Sequence, residues 1–151
     1  MARRFRFRLE PVLRYRGRIE EERMRDFALA QGRVVEQERQ LEEIASEKAE
    51  HQEEIARLSR EGVAVDQILE FHRYINTLNV RAALGQRELA VRREELDRRR
   101  ADLLEARKDH RALELLKERR WEDHRREEAR EEADLVNELA IQRFRANHPV
   151  E

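Results

Sequence analysis

The 151-residue sequence predicts an all-α protein, an elongated antiparallel two-helix coiled-coil hairpin whose second helix is longer than its first. Three observations lead there. Ile68, Ile75, Ala82, Leu89, Leu96, Leu103 and His110 recur every seven residues through a stretch with no proline and one glycine, Gly85. A single short break around Gly62 interrupts an otherwise continuous helical spacing. Finally, 44% of the residues are charged and 5% aromatic, which leaves too little apolar material for a layered globular core. Charges of mixed sign on sustained heptads favour helix over a disordered chain.

The elements follow in order. Met1 to Glu10 precedes any helical pattern. Pro11 suits a first helical turn, and Val12, Leu13, Ile19, Phe27, Ala30, Val34, Leu41, Ile44, Ile55 and Leu58 keep a helical spacing, so helix one is expected over 11–58. Residues 59–66 form the turn, with Gly62 placed to end one helix and Asp66 to cap the next. Helix two is expected over 67–145, ending near Asn147 and Pro149. Their lengths come to roughly 70 Å and 118 Å. The whole chain, 1–151, reads as one coiled-coil unit. The short connection forces an antiparallel hairpin in which residue numbers adding up to about 125 face each other. That register pairs Leu13 with the Leu113 region, Phe27 with Arg98 and Ile55 with Glu70.

The register leaves Met1 to Glu10 and Trp121 to Arg145 without a partner helix. Ala129, Ala133, Val136, Ala140 and Phe144 line one face of the latter segment, and Leu135, Leu139 and Ile141 widen it. An amphipathic helix with nothing packed against it gains little stability from propensity, so this stripe is expected to dock on another protein. Phe5, Phe7 and Leu9 fall near Trp121 and are expected to form a small cluster at this open end.

Net charge is −1, but it is unevenly spread. Arg3, Arg4, Arg6, Arg8, Arg14, Arg16 and Arg18 stand against Glu10 alone before residue 19, whereas acids outnumber bases by fourteen to seven between Ile19 and Asp66. A basic collar of this kind suits an acidic protein partner. It also leaves open a nucleic-acid or membrane-surface binder, with Phe5, Phe7 and Tyr15 interleaved. Pro11 inside the basic segment and the hairpin pattern argue against a basic zipper on DNA. With no cysteine there are no disulfides and no thiol chemistry. No apolar run is long enough for a signal-peptide core or a membrane span, so a cytoplasmic protein is expected.

Catalytic material is scarce. Ser46, Ser59 and Thr77 are the only aliphatic hydroxyls, no glycine-rich phosphate loop occurs, and Glu127, Glu128, Glu131 and Glu132 read as a solvated face beside Arg125, Arg126 and Arg130. The five histidines lack metal-ligand spacing. His110, at a heptad core position, reads as a polar residue that fixes register. No enzyme activity, metal or cofactor is expected.

Phe5-Arg6-Phe7-Arg8-Leu9-Glu10-Pro11-Val12-Leu13-Arg14-Tyr15-Arg16, followed by Ala28-Leu29-Ala30, resembles the opening of the FliJ family of flagellar export proteins. Tyr74-Ile75-Asn76-Thr77-Leu78 and Asn137-Glu138-Leu139-Ala140-Ile141-Gln142-Arg143 resemble later segments of that family, in the same order and at similar spacings. The resemblance implies a non-enzymatic stalk, similar to that of rotary ATPases, at the cytoplasmic side of the inner membrane at the flagellar base. Its implied partners are the hexameric flagellar export ATPase, the cytoplasmic part of the membrane export gate protein, and the export chaperones, with no small-molecule substrate. Carried onto this chain, Phe5, Phe7, Leu9, Val12, Leu13, Leu135, Glu138, Leu139, Gln142 and Arg143 would face the ATPase, and Phe71, Tyr74 and Leu78 the gate. On the facing part of helix one, where family members can carry aromatic residues, this chain has Ile44, Glu47 and His51. A rotor-like stalk of another ATPase is the alternative within the same class.

Overall fold

The computed structural model describes residues 3–62 and 64–149. Two helices account for nearly all of them: α1, Glu10–Glu61, and α2, Val65–Asn147. The fold is an antiparallel two-helix hairpin with the second helix longer, and among the described residues there is no strand.

The ends of the helices differ from the sequence expectation by a few residues, each for a local reason. α1 opens at Glu10 because the Glu10 amide already bonds to the Phe7 carbonyl at 3.1 Å and the Leu13 amide to the Leu9 carbonyl at 2.9 Å. Pro11 then occupies the first turn, where its missing N–H removes no intrahelical bond. At the other end α1 runs past Leu58 to Glu61, because a helix continues beyond its last apolar residue until the backbone turns away. It turns at Gly62, whose φ of 72° lies in the left-handed region that glycine enters freely. Of the expected turn, Val63 lies outside the described residues. α2 starts at Val65, so Asp66 is not the cap. It lies inside the first turn, where a carboxylate complements the positive end of the helix, and the Gln67 amide reaches back to the Ala64 carbonyl at 3.1 Å.

Packing divides the chain into two compact units, one from residues up to Glu20 together with Ala106 onward, the other Glu21–Glu105. In the second unit, Ala30, Val34 and Leu58 from α1 and Ile75, Leu78, Leu89 and Leu103 from α2 are buried. The heptad members Ala82 and Leu96 are half-buried between them. Gly85 marks the closest approach. A β-carbon there would lie 2.6 Å from Leu41 Cδ2, and the Gln37 amide donates to the Gly85 carbonyl at 3.2 Å. Around this seam Arg99 pairs with Asp26 at 3.9 Å, Arg93 with Glu38 at 3.3 Å, and the Arg100 guanidinium lies 5.9 Å from the Phe27 ring centre. These pairs keep the register of about 125 expected from the turn.

In the first unit Leu13 and Ala106 are buried, and ion pairs join the two helical segments. Arg16 donates to Asp109 at 3.3 Å, and Lys117 lies 2.8 Å from Glu10. His110 sits over Gly17, where an added β-carbon would meet its Nε2 at 3.4 Å, and its Nδ1 donates to Glu20 at 2.5 Å. The seam therefore closes around a histidine held by a carboxylate.

Candidate functional site

Residues 3–9 precede α1 as a strap against the helical segment that begins at Leu116. Burial alternates along it: Phe5 and Phe7 are half-buried, and Arg4, Arg6 and Arg8 are exposed. Alternation with period two is what extended backbone gives. Phe5 meets Trp121 edge-on at 5.3 Å between ring centres and tilts against His124 at 5.5 Å. His124 Nε2 donates to the Arg3 carbonyl at 2.9 Å and lies 3.3 Å from Glu128, which fastens the strap by its backbone as well as its rings. Phe5, Phe7 and Leu9 share a cavity of about 660 Å³ with Leu116, Arg120, Asp123, His124 and Glu127. His124 is the member of this cluster that sequence reasoning missed. Its spacing of three from Trp121 was the available signal.

Beyond Glu128 every described residue of α2 is exposed. Leu135, Leu139 and Phe144 are 57%, 52% and 64% accessible, and Val136 and Ile141 are equally bare. Leu135, Glu138, Leu139, Gln142 and Arg143 recur at helical spacing on one face. They are not among the residues lining the cavity with Phe5, Phe7 and Leu9. The expected site is thus two patches in one unit: an aromatic strap and a bare helical face. Val12 is exposed, whereas Leu13 is buried in the seam and offers a partner almost no surface.

A separate cluster lies in the other unit. His51 of α1 tilts against Tyr74, with ring centres 4.7 Å apart, and against Phe71, 5.7 Å away. The Tyr74 hydroxyl donates to the Glu47 carboxylate. That hydrogen bond, together with burial and the nearby negative charge, raises the Tyr74 pKa above the ordinary phenol value. His51 and Glu47 therefore complete the patch from α1. Leu78 is fully buried and holds the helices together beneath it.

None of these groups is arranged for metal or membrane chemistry among the described residues. No cluster of His, Asp and Glu can hold a metal ion, and no helix is long and apolar enough to cross a membrane.

An all-helical hairpin with a bare helical end and an aromatic cluster places the protein in the class of two-helix coiled-coil proteins. The family described as Flagellar FliJ protein matches residues 5–148, nearly the whole chain, and the protein belongs to that family. Membership carries the family's coarse role, association with the type III export apparatus. A solved YscO homolog from Chlamydia trachomatis is 22% identical, with 95% of this chain and 98% of that one covered, at a TM-score of 0.47. So loose a likeness bears on neither fold nor function. None of the curated proteins compared matches the chain.

Proposed function

We propose that this protein is a non-enzymatic stalk of the flagellar export apparatus that seats its open end in the ring of the export ATPase and couples the ring to the export gate. It would work in the cytoplasm, next to the inner membrane at the flagellar base. The observation that carries the reading is the bare end of α2, where Leu135 and Leu139 lie open one turn apart and Val136 and Phe144 are exposed on another face, adjoining a strap whose Phe5 ring is already held within the chain. A helix that leaves large apolar side chains open along successive turns is built to be covered.

On this reading Leu135, Glu138, Leu139, Gln142 and Arg143 meet the ATPase, with Phe5, Phe7, Leu9 and Val12 beside them and Leu13 supporting from within. Phe71 and Tyr74, backed by buried Leu78 and joined by His51, meet the gate. The chaperones are further partners. An asymmetric helix pair inside a six-fold ring biases its nucleotide sites by contacting them unequally. Hydrolysis stays with the ring.

The test is to add the purified protein to its cognate export ATPase. Wild type should raise ATPase activity or hexamer population, and Leu135→Asp with Leu139→Asp should abolish the gain. No effect of the wild type overturns the reading.

A further inference from the structure

The outer side of the strap has no role in packing. Arg4, Arg6 and Arg8 are exposed and make no ion pair or hydrogen bond among the described residues. Phe5 and Phe7 are half-buried between them, so the alternation that shelters the rings leaves the three guanidinium groups exposed along the strap. Beside them lies a concavity of about 580 Å³, lined by Arg4, Arg6, Arg8, Arg14 and Lys117 together with Glu10, Phe5 and Phe7. Lys117 stands 2.8 Å from Glu10 and Arg14 3.9 Å, so the one acid is already matched. Arg4, Arg6 and Arg8 remain near the positive end of α1, which adds to the same potential.

We propose that this concavity is a binding site for closely spaced phosphate groups, as in a pyrophosphate unit or the headgroups of anionic phospholipids. Alternate residues of an extended strap are about 7 Å apart, close enough for two guanidinium forks to share one pyrophosphate. Each fork presents paired donors that match phosphate oxygens, and arginine is the side chain best suited to that geometry. The concavity has the dimensions of a headgroup or a nucleoside diphosphate rather than of a protein face. The inference is independent of the docking of the bare α2 face on an ATPase, because none of the residues lining the concavity belongs to that face.

The experiment is calorimetric titration of the full chain at low salt with pyrophosphate and with ADP, alongside co-sedimentation with vesicles of phosphatidylcholine with or without phosphatidylglycerol. Saturable binding of either phosphate source is expected, weakening as salt rises. Arg6→Ala with Arg8→Ala should lower the affinity about tenfold. The thermal midpoint should stay nearly unchanged, since both side chains are exposed and form no ion pair or hydrogen bond among the described residues. Binding of pyrophosphate assigns the site to soluble phosphates, binding only of phosphatidylglycerol vesicles assigns it to a lipid surface, and both support the proposal. It is overturned if neither source binds, if the double variant binds as wild type does, or if a polyglutamate peptide or a single-stranded oligonucleotide competes better than pyrophosphate.

Discussion

His110 and Glu20 meet across the helix pair at 2.5 Å, with the imidazole laid over Gly17 and its other nitrogen 3.5 Å from Glu114. A polar ring in an otherwise apolar seam trades stability for register. His110→Leu is therefore expected to leave the thermal midpoint equal or raised, by about 1 kcal/mol at most. Sedimentation should also show more self-association, because the seam no longer rejects shifted pairings. A loss of more than about 1 kcal/mol would show that the His110–Glu20 pair is itself a main support.

Gly32 and Gly85 are both interior to a helix, but a β-carbon on Gly32 meets nothing within 4 Å whereas one on Gly85 runs into Leu41. Gly32→Ala should stabilise the fold by about 0.5–1 kcal/mol through helix propensity alone. Gly85→Leu should destabilise it by about 1–3 kcal/mol, because the helices must separate. Urea denaturation of the two variants, compared with wild type, tests the pair of signs together.

Tyr74 keeps its proton in the native state above the usual phenol range because its hydroxyl donates a hydrogen bond to the Glu47 carboxylate. A phenol whose folded pKa is raised stabilises fully below the unfolded value of about 10 and loses that contribution as pH climbs through the folded value. In a Tyr15→Phe background, ultraviolet titration should place the remaining phenol above 10, and Glu47→Ala should bring it down. An unmoved titration curve would show that the Glu47 contact is not formed in solution.

Leu135→Asp with Leu139→Asp changes side chains that lie open to solvent. Stability should change by no more than about 0.5 kcal/mol, the usual range for surface positions. A larger loss would mean that this face is covered in the free protein, and the oligomeric state would then need to be measured.

The sequence revealed what depends on periodicity. Every member of the Ile68 to His110 series lies at least half-buried, and the cross-helix pairs Asp26–Arg99 and Arg16–Asp109 follow from counting outward from Gly62. What it hid depends on partners brought together by folding. Gly85 reads as a weak point in a helix until Leu41 is seen against it. Glu47 and His51 read as interruptions of an aromatic patch until one is found hydrogen-bonded to Tyr74 and the other tilted against its ring. The helices extend one to three residues past the apolar spacing at each end, because that spacing stops before the backbone does.

The turns of α2 beyond Glu128 rest on local hydrogen bonds alone, with no neighbouring segment to protect them. Such turns open and close on their own, and their amides exchange with solvent far sooner than those near Leu89 or Leu103. Whatever covers Leu135 and Leu139 must also hold these turns shut. For a partner that covers this end, recognition and the completion of folding would be a single equilibrium.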